Sequence, residues 1–197
     1  RSFGDFAVLL RTNARSYALE RALVQQRITY QLVGGVRFYD RKEIKDVVAY
    51  LRLLYQPHDR MSFSRVVNVP TRGIGATSLE KFLVWQSQSG MDILSALVNT
   101  EQIATLTPRA RQALSGLGEL LRRVQVKNEL GVGPSELIEE LLSATGYRDM
   151  LLDGSPQAEE REANLGVLVS DAKSYACLLY TSPSPRDRTR SRMPSSA

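Results

Sequence analysis

The sequence contains a single cysteine, Cys177, and a single histidine, His58. A lone thiol forms neither an internal disulfide nor a cysteine cluster for a metal, which fits a reducing, cytoplasmic setting. His58 stands in a loop without an acid, nucleophile or ligand partner in the local sequence, so no metal site is assigned. The spacings GxSxG, HExxH and Cys-His do not occur, which argues against self-contained hydrolytic chemistry. GxxxxGK(S/T) is missing too, and no acidic strand end offers itself to magnesium. No apolar run approaches the ~20 residues that a membrane span needs, and the opening "RSFGDF" is not a signal peptide. The first residue is Arg1 instead of methionine, so the chain is expected to start inside a longer gene product.

What is present is enough for a core: 197 residues at 43% hydrophobic content suit one domain or two small ones. The net charge of +5 is unevenly spread. From Cys177 to Ala197 four arginines, Arg186, Arg188, Arg190 and Arg192, face Asp187 alone; that segment carries +3, which leaves +2 for residues 1–176. Global basicity is therefore weak support for a polyanionic partner, and local sites have to carry any such reading.

"FAVLL" (Phe6 to Leu10) is a short, wholly apolar run of the kind buried on both faces of a parallel sheet. "SYALERALVQQ" follows at helical spacing, then "ITYQLVGG" as a second strand, so the start reads as a β-α-β unit. Asp40 and Glu43 form a plausible capping box for a helix carrying Ile44, Val47, Val48, Leu51 and Leu54, stopped by "QPHD". Beyond Met61 strand signals vanish. Helices are expected at Ser62–Asn68, at Ser78–Ser87 with Thr77 and Glu80 as capping box, at Met91–Asn99, after Thr107-Pro108, after Pro134-Ser135 up to Gly146, and over "EREANLGVLVSDAKSYA". The fold class read from this pattern is α/β at the start, then all-helical, with a boundary near residue 104 and a helical unit over 105–176. Residues 177–197, rich in Ser, Pro and Arg, are expected to be disordered and resemble read-through from a vector or adapter.

Four segments could carry chemistry. Arg11 closes the first apolar run, where parallel α/β sheets place their ligand sites; a guanidinium there can grip a phosphate, or it can pair with Glu20 or Asp40 on the surface. "VGGVRFYDRKEIKD" mixes Arg37 and Arg41 with Phe38, a combination that binds single strands by stacking and charge, although Phe38 can equally plug the core. "PTRGIGATSLEKF" sets Arg72, Gly73, Ile74 and Gly75 at the mouth of a helix. Glycines there let backbone amides approach a phosphate while Ile74 pins the turn; the alternative is a plain tight turn. "ATGYRDM" is a weaker echo in which Gly146 ends a helix and Arg148 follows, and a bare C-cap accounts for it equally well.

In order and spacing, "AVLLRTNARSYALERAL", "YQLVGGVRFYDRKEIKDVVAYLRLL" and "RVVNVPTRGIGATSLEKF" resemble the UvrD/PcrA/Rep family of superfamily-one DNA helicases over residues 5 to 176. The resemblance implies an incomplete RecA-like parallel sheet at residues 1–104, the start of the family's second RecA-like domain, followed by part of its helical insertion. It implies ATP with Mg2+ as cofactor, in a site completed by the first RecA-like domain, and single-stranded and duplex DNA as partners. The γ-phosphate arginine falls on Arg11. The adenine-stacking aromatic of close relatives falls on Leu10, where this sequence departs from the family pattern with an aliphatic side chain. Arg37, Phe38 and Arg41 fall near the DNA path; Arg72, Gly73, Ile74 and Gly75 on the turn linked to duplex phosphates; Gly146 and Arg148 on a second such turn, more loosely matched. The implied activity is ATP-driven 3′-to-5′ translocation and unwinding. Alternatives are a non-catalytic DNA-binding module and an AddA/RecB-type helicase-nuclease.

Overall fold

The computed structural model describes residues 2–11 and 13–181. Among them there is no strand, so the expected β-α-β sheet is not present and the described chain is helical. The two apolar runs are extended or irregular and lie open to solvent: Leu9 is 96% exposed and Val33 85%. An apolar run becomes a strand only when a neighbour supplies the opposing row of amides and carbonyls. None of the described residues supplies one, and only the helix between the two runs, α1 (Asn13–Gln25), forms as expected.

From Phe38 onward the chain packs around one continuous apolar core that runs to Leu168 and passes residue 104 without interruption. A 3-10 turn, Phe38–Asp40, leads into α2 (Lys42–Tyr55), whose Ile44, Val47, Tyr50, Leu53 and Leu54 face inward. The expected capping box at its start does not form: Arg41 is the N-cap, Asp40 pairs with Lys45 at 2.9 Å, and Glu43 turns into the interior. Side chains with a buried partner elsewhere are not available for local capping.

α3 (Arg60–Val66) is capped by Asp59, which accepts from the Ser62 amide at 3.0 Å. α4 (Ala76–Ser89) starts at Gly75 and not with the expected Thr77–Glu80 box, and ends at Gly90. α5 (Ile93–Val98) is capped by Asp92, which accepts from the Ser95 amide at 2.9 Å. Both carboxyls are held below the usual range: for Asp59 the Ser62 hydroxyl and amide are the main cause, and for Asp92 burial pushes upward but is outweighed by the bonds from Ser95 and the Leu94 amide together with the His58 charge. α6 (Pro108–Glu129) opens on a Thr107 cap with proline in its first turn, as read from sequence. α7 (Pro134–Thr145) stops at Gly146, where the short α8 (Tyr147–Leu151) begins. α9 (Ala158–Thr181) runs five residues past Ala176; residues 182–197 of the expected tail lie outside the described residues.

Phe63 and Phe82 meet at 5.3 Å between ring centroids and join α3 to α4, while α5 lies directly on α6. That last contact is tight. A Cβ built on Gly118 would stand 2.7 Å from Leu97 Cβ and 3.0 Å from the Leu97 carbonyl carbon. Gly116, one half-turn earlier, faces open space. Gly118→Ala should therefore lower stability by about 1–3 kcal/mol through overpacking, while Gly116→Ala should raise it by up to about 1 kcal/mol through helix propensity. Urea unfolding of both variants checks this pair; equal effects would mean that the α5–α6 approach is looser than described.

Candidate functional site

The Gly73–Gly75 turn is built by the residues around it. α3 ends with carbonyls that have no helical partner, and Arg72 folds back over them. Its Nη1 donates to the carbonyls of Val66 at 3.0 Å, Val67 at 3.1 Å and Pro70 at 3.3 Å, and Nη2 donates to the Tyr50 hydroxyl at 2.8 Å. The Tyr50 hydroxyl in turn donates to the Val69 carbonyl at 2.5 Å. Arg72, expected to meet a phosphate, is thus occupied in holding the loop, because a cation at a helix C-terminus satisfies both the orphan carbonyls and the dipole.

Asn68 clamps the other side: its Nδ2 donates to the Ile74 carbonyl at 2.5 Å and its Oδ1 accepts from the Ile74 amide at 3.1 Å. Ile74 is 3% exposed and anchors the turn in the core, as expected. Gly73 has φ +71°, a left-handed conformation in which a side chain is strained. Gly75 is the N-cap of α4, and the first amide of that helix to find a helical partner is Leu79, bonded to the Gly75 carbonyl at 3.0 Å. Gly73, Gly75, Ala76 and Thr77 are all exposed. The result is a rigid, exposed turn that presents the amide end of a 14-residue helix.

The "GGVRFYDR" segment divides. Arg37 is exposed. Phe38 is 1% exposed, with its ring 4.0 Å from that of Tyr17 and 5.2 Å from that of Tyr39. Its faces are taken up by protein, so it is a core plug and not a stacking platform for a base. Arg41 is buried as well and turned to internal partners: Nη1 donates to Asn164 Oδ1 at 2.6 Å, Nη2 to Ser16 Oγ at 3.0 Å, and the guanidinium lies 5.3 Å from the Phe38 ring centroid. Asn164 Nδ2 donates onward to Glu43 at 2.6 Å, and Ser16 Oγ to Glu20 at 2.9 Å. Beside this layer Asp171 accepts from the Tyr17 hydroxyl at 2.7 Å and from Arg21 at 2.5 Å. Burial, with the Tyr39 and Asp171 contacts adding to it, pushes the Tyr17 phenol well above its ordinary value. No local pattern marks Asn164 or Asp171, because their partners lie more than a hundred residues away in sequence.

In "TGYRD", Gly146 (φ +67°) both ends α7 and caps α8. Tyr147 is buried and donates to Asp46 Oδ2 at 2.9 Å, while Asp46 Oδ1 takes Arg65 Nε at 2.7 Å. Arg148 pairs with Glu139 at 3.0 Å and Glu162 at 2.8 Å, tying α7, α8 and α9 together. Those two carboxylates neutralise it, so the structural reading of this turn is the one its geometry supports.

Leu10 and Arg11 close the exposed N-terminal run, immediately before α1, with Leu10 42% exposed. No group of three or more metal-ligating side chains occurs among the described residues, and no helix among them is long and apolar enough to cross a membrane.

Residues 1–112 match the UvrD-like helicase C-terminal domain. The chain belongs to the UvrD-like helicase family. It is 40% identical over 177 residues to a Bacillus subtilis protein named ATP-dependent DNA helicase PcrA, a match covering 89% of this chain and 24% of the relative. A Mycobacterium tuberculosis protein named ATP-dependent DNA helicase UvrD1 is 39% identical over 178 residues, with 89% and 23% covered. The chain thus spans about a quarter of the length of the curated relatives it matches.

The Tyr147–Asp46 bond makes a pH prediction. Burial, and then the neighbouring Asp46 charge, push the Tyr147 phenol far above its ordinary value. A phenol held neutral in the folded state contributes stability that is whole below its unfolded pKa of about 10 and is lost as pH rises past it. Urea midpoints should fall between about pH 9 and 11, and Tyr147→Phe should fall less steeply over that range, after a loss of about 1 kcal/mol at neutral pH. Parallel pH profiles for the two proteins would exclude a buried Tyr147.

Proposed function

We propose that this chain is the portion of an ATP-dependent, 3′-to-5′ DNA helicase that supplies the γ-phosphate arginine and a duplex-contacting turn. The observation that carries the reading is Arg11, an exposed guanidinium directly before α1, in a member of a family whose relatives are named ATP-dependent DNA helicases. In this reading residues 1–104 would be the start of a second RecA-like domain and residues 105–176 part of its helical insertion. The parent would work on single-stranded and duplex DNA in the cytoplasm.

The residues here fit only part of an ATP and magnesium site. Arg11 suits an anionic oxygen, Leu10 offers an apolar edge, and no described cluster of carboxylates would take Mg2+. ATP, when bound, would supply the phosphoanhydride whose cleavage drives movement. This chain's part would be electrostatic: Arg11 would donate to the oxygens on which negative charge grows, and its exposed, unpacked position leaves it free to meet them as domains close. The Gly73–Gly75 turn would hold the duplex through phosphates and not base edges, as a motor that works on any sequence requires. Of the other DNA positions read from sequence, Arg37 is exposed and remains part of this proposal.

The test is a chimera. Residues 1–176 replace the matching stretch of the Bacillus subtilis PcrA, and DNA-stimulated ATP turnover is measured with and without Arg11→Ala. The substitution should lower kcat by about a thousandfold or more, as loss of an arginine finger does, with single-strand binding retained. Normal turnover by the variant would remove Arg11 from the nucleotide site.

A further inference from the structure

Arg109 is the second residue of α6 and no motif read from the sequence includes it. It is exposed, and it has no hydrogen-bond or ion-pair partner among the described residues. Its guanidinium lies against the Gly73–Gly75 turn: Nη2 is 3.2 Å from the point where a Cβ on Gly73 would stand. The backbone around it is fixed. Thr107 caps α6, Arg111 Nη2 donates to the Ile103 carbonyl at 3.3 Å, and Lys81 of α4 donates to the Thr105 carbonyl at 3.1 Å, so the helix carrying the turn is tied to the segment that leads to Arg109.

The acidic side chain nearest Arg109 in sequence, Glu101, and the one nearest the turn, Glu80, look elsewhere. Glu101 pairs with Arg111, and Glu80 lines the groove formed by Arg60, Leu79 and Leu83. The cations expected from the sequence to meet phosphate, Arg41, Arg72 and Arg148, are committed to internal partners. Arg109 is the guanidinium left uncommitted beside the turn. The bare Cα of Gly73 leaves the room it occupies, since any side chain there would crowd it.

We propose that Arg109 is a duplex-phosphate contact, laid over Gly73 so that its donors and the exposed Gly75–Thr77 backbone serve neighbouring phosphates. The proposal rests on reading the Gly73–Gly75 turn as duplex-contacting, and adds to it a residue from a different helix. A guanidinium suits this role because its fork of donors matches phosphate geometry without reading bases.

The experiment uses the full 197-residue chain and a short fluorescein-labelled blunt duplex of mixed sequence, with binding followed by anisotropy across a salt series. Each phosphate contact contributes about 0.9 to the slope of log affinity against log salt. Arg109→Gln should lower that slope by about one and weaken binding several-fold equally on unrelated sequences, and Arg109→Lys should keep the slope. Arg122→Gln, on the same helix about 20 Å away at 1.5 Å per residue, should change neither. An unchanged slope for Arg109→Gln overturns the proposal while leaving the turn's reading intact. An equal loss from Arg122→Gln overturns it in favour of diffuse surface charge. A wild-type chain that does not bind duplex, or binds a single strand of equal length as well, overturns the reading of the turn itself and Arg109 with it. Unchanged circular dichroism in each variant separates these outcomes from misfolding.

Discussion

The buried guanidinium of Arg41 is the interaction on which the arrangement of this chain depends. Placing an arginine at 7% exposure costs several kcal/mol unless its charge and donors are met. Here three elements meet them: Ser16 from α1, Asn164 from α9, and the Phe38 ring from the turn before α2, with Glu43 and Glu20 behind the first two supplying the negative charge. Each meets part of what the buried guanidinium needs, and together they tie α1, α9 and the turn before α2 to one another. Apolar packing would hold them together, but it would not by itself fix that register.

This placement decides which residues reach solvent. α1 is fastened to α9 through Ser16, Arg41 and Asn164 and again through Tyr17 and Asp171, and Arg11, ahead of it, is exposed. Because Phe38 fills the space beneath the same network, the aromatic content of "GGVRFYDR" is spent on the core, and Arg37 is left outside. One polar layer therefore separates the cations that build the structure from those that are free to act.

The helices were legible in the sequence because their signals are local. Thr107-Pro108 opened α6, Pro134 opened α7, Gly146 closed it, and apolar spacing marked α2. What misled was a local signal for a non-local state. "FAVLL" and "ITYQLV" have strand composition, yet a strand exists only through pairing, and no partner row lies among the described residues. Glu43 was read as a cap because the cap lies three residues away, while its real partner, Asn164, is 121 residues off. The same limit hid Arg109: nothing within ten residues marks it, and its meaning comes from meeting Gly73 across two helices.

The duplex role proposed for the turn at Gly73 suits a site built from backbone. A side chain chosen to read a base discriminates among sequences, whereas a motor has to release each base pair and take the next. Backbone amides at a helix end and a guanidinium face every phosphate alike, and their affinity is set by salt and geometry. Geometry then has to be exact in the backbone itself, since amides cannot search through rotamers. Asn68 fixes the Ile74 amide and carbonyl, Arg72 holds the Val66, Val67 and Pro70 carbonyls that lead into the turn, and the buried Ile74 side chain anchors it. Under the proposed role Arg72 would serve DNA binding without touching the DNA: the cation nearest the motif in sequence stiffens the turn, and the one that arrives from α6 would be left to face the phosphate.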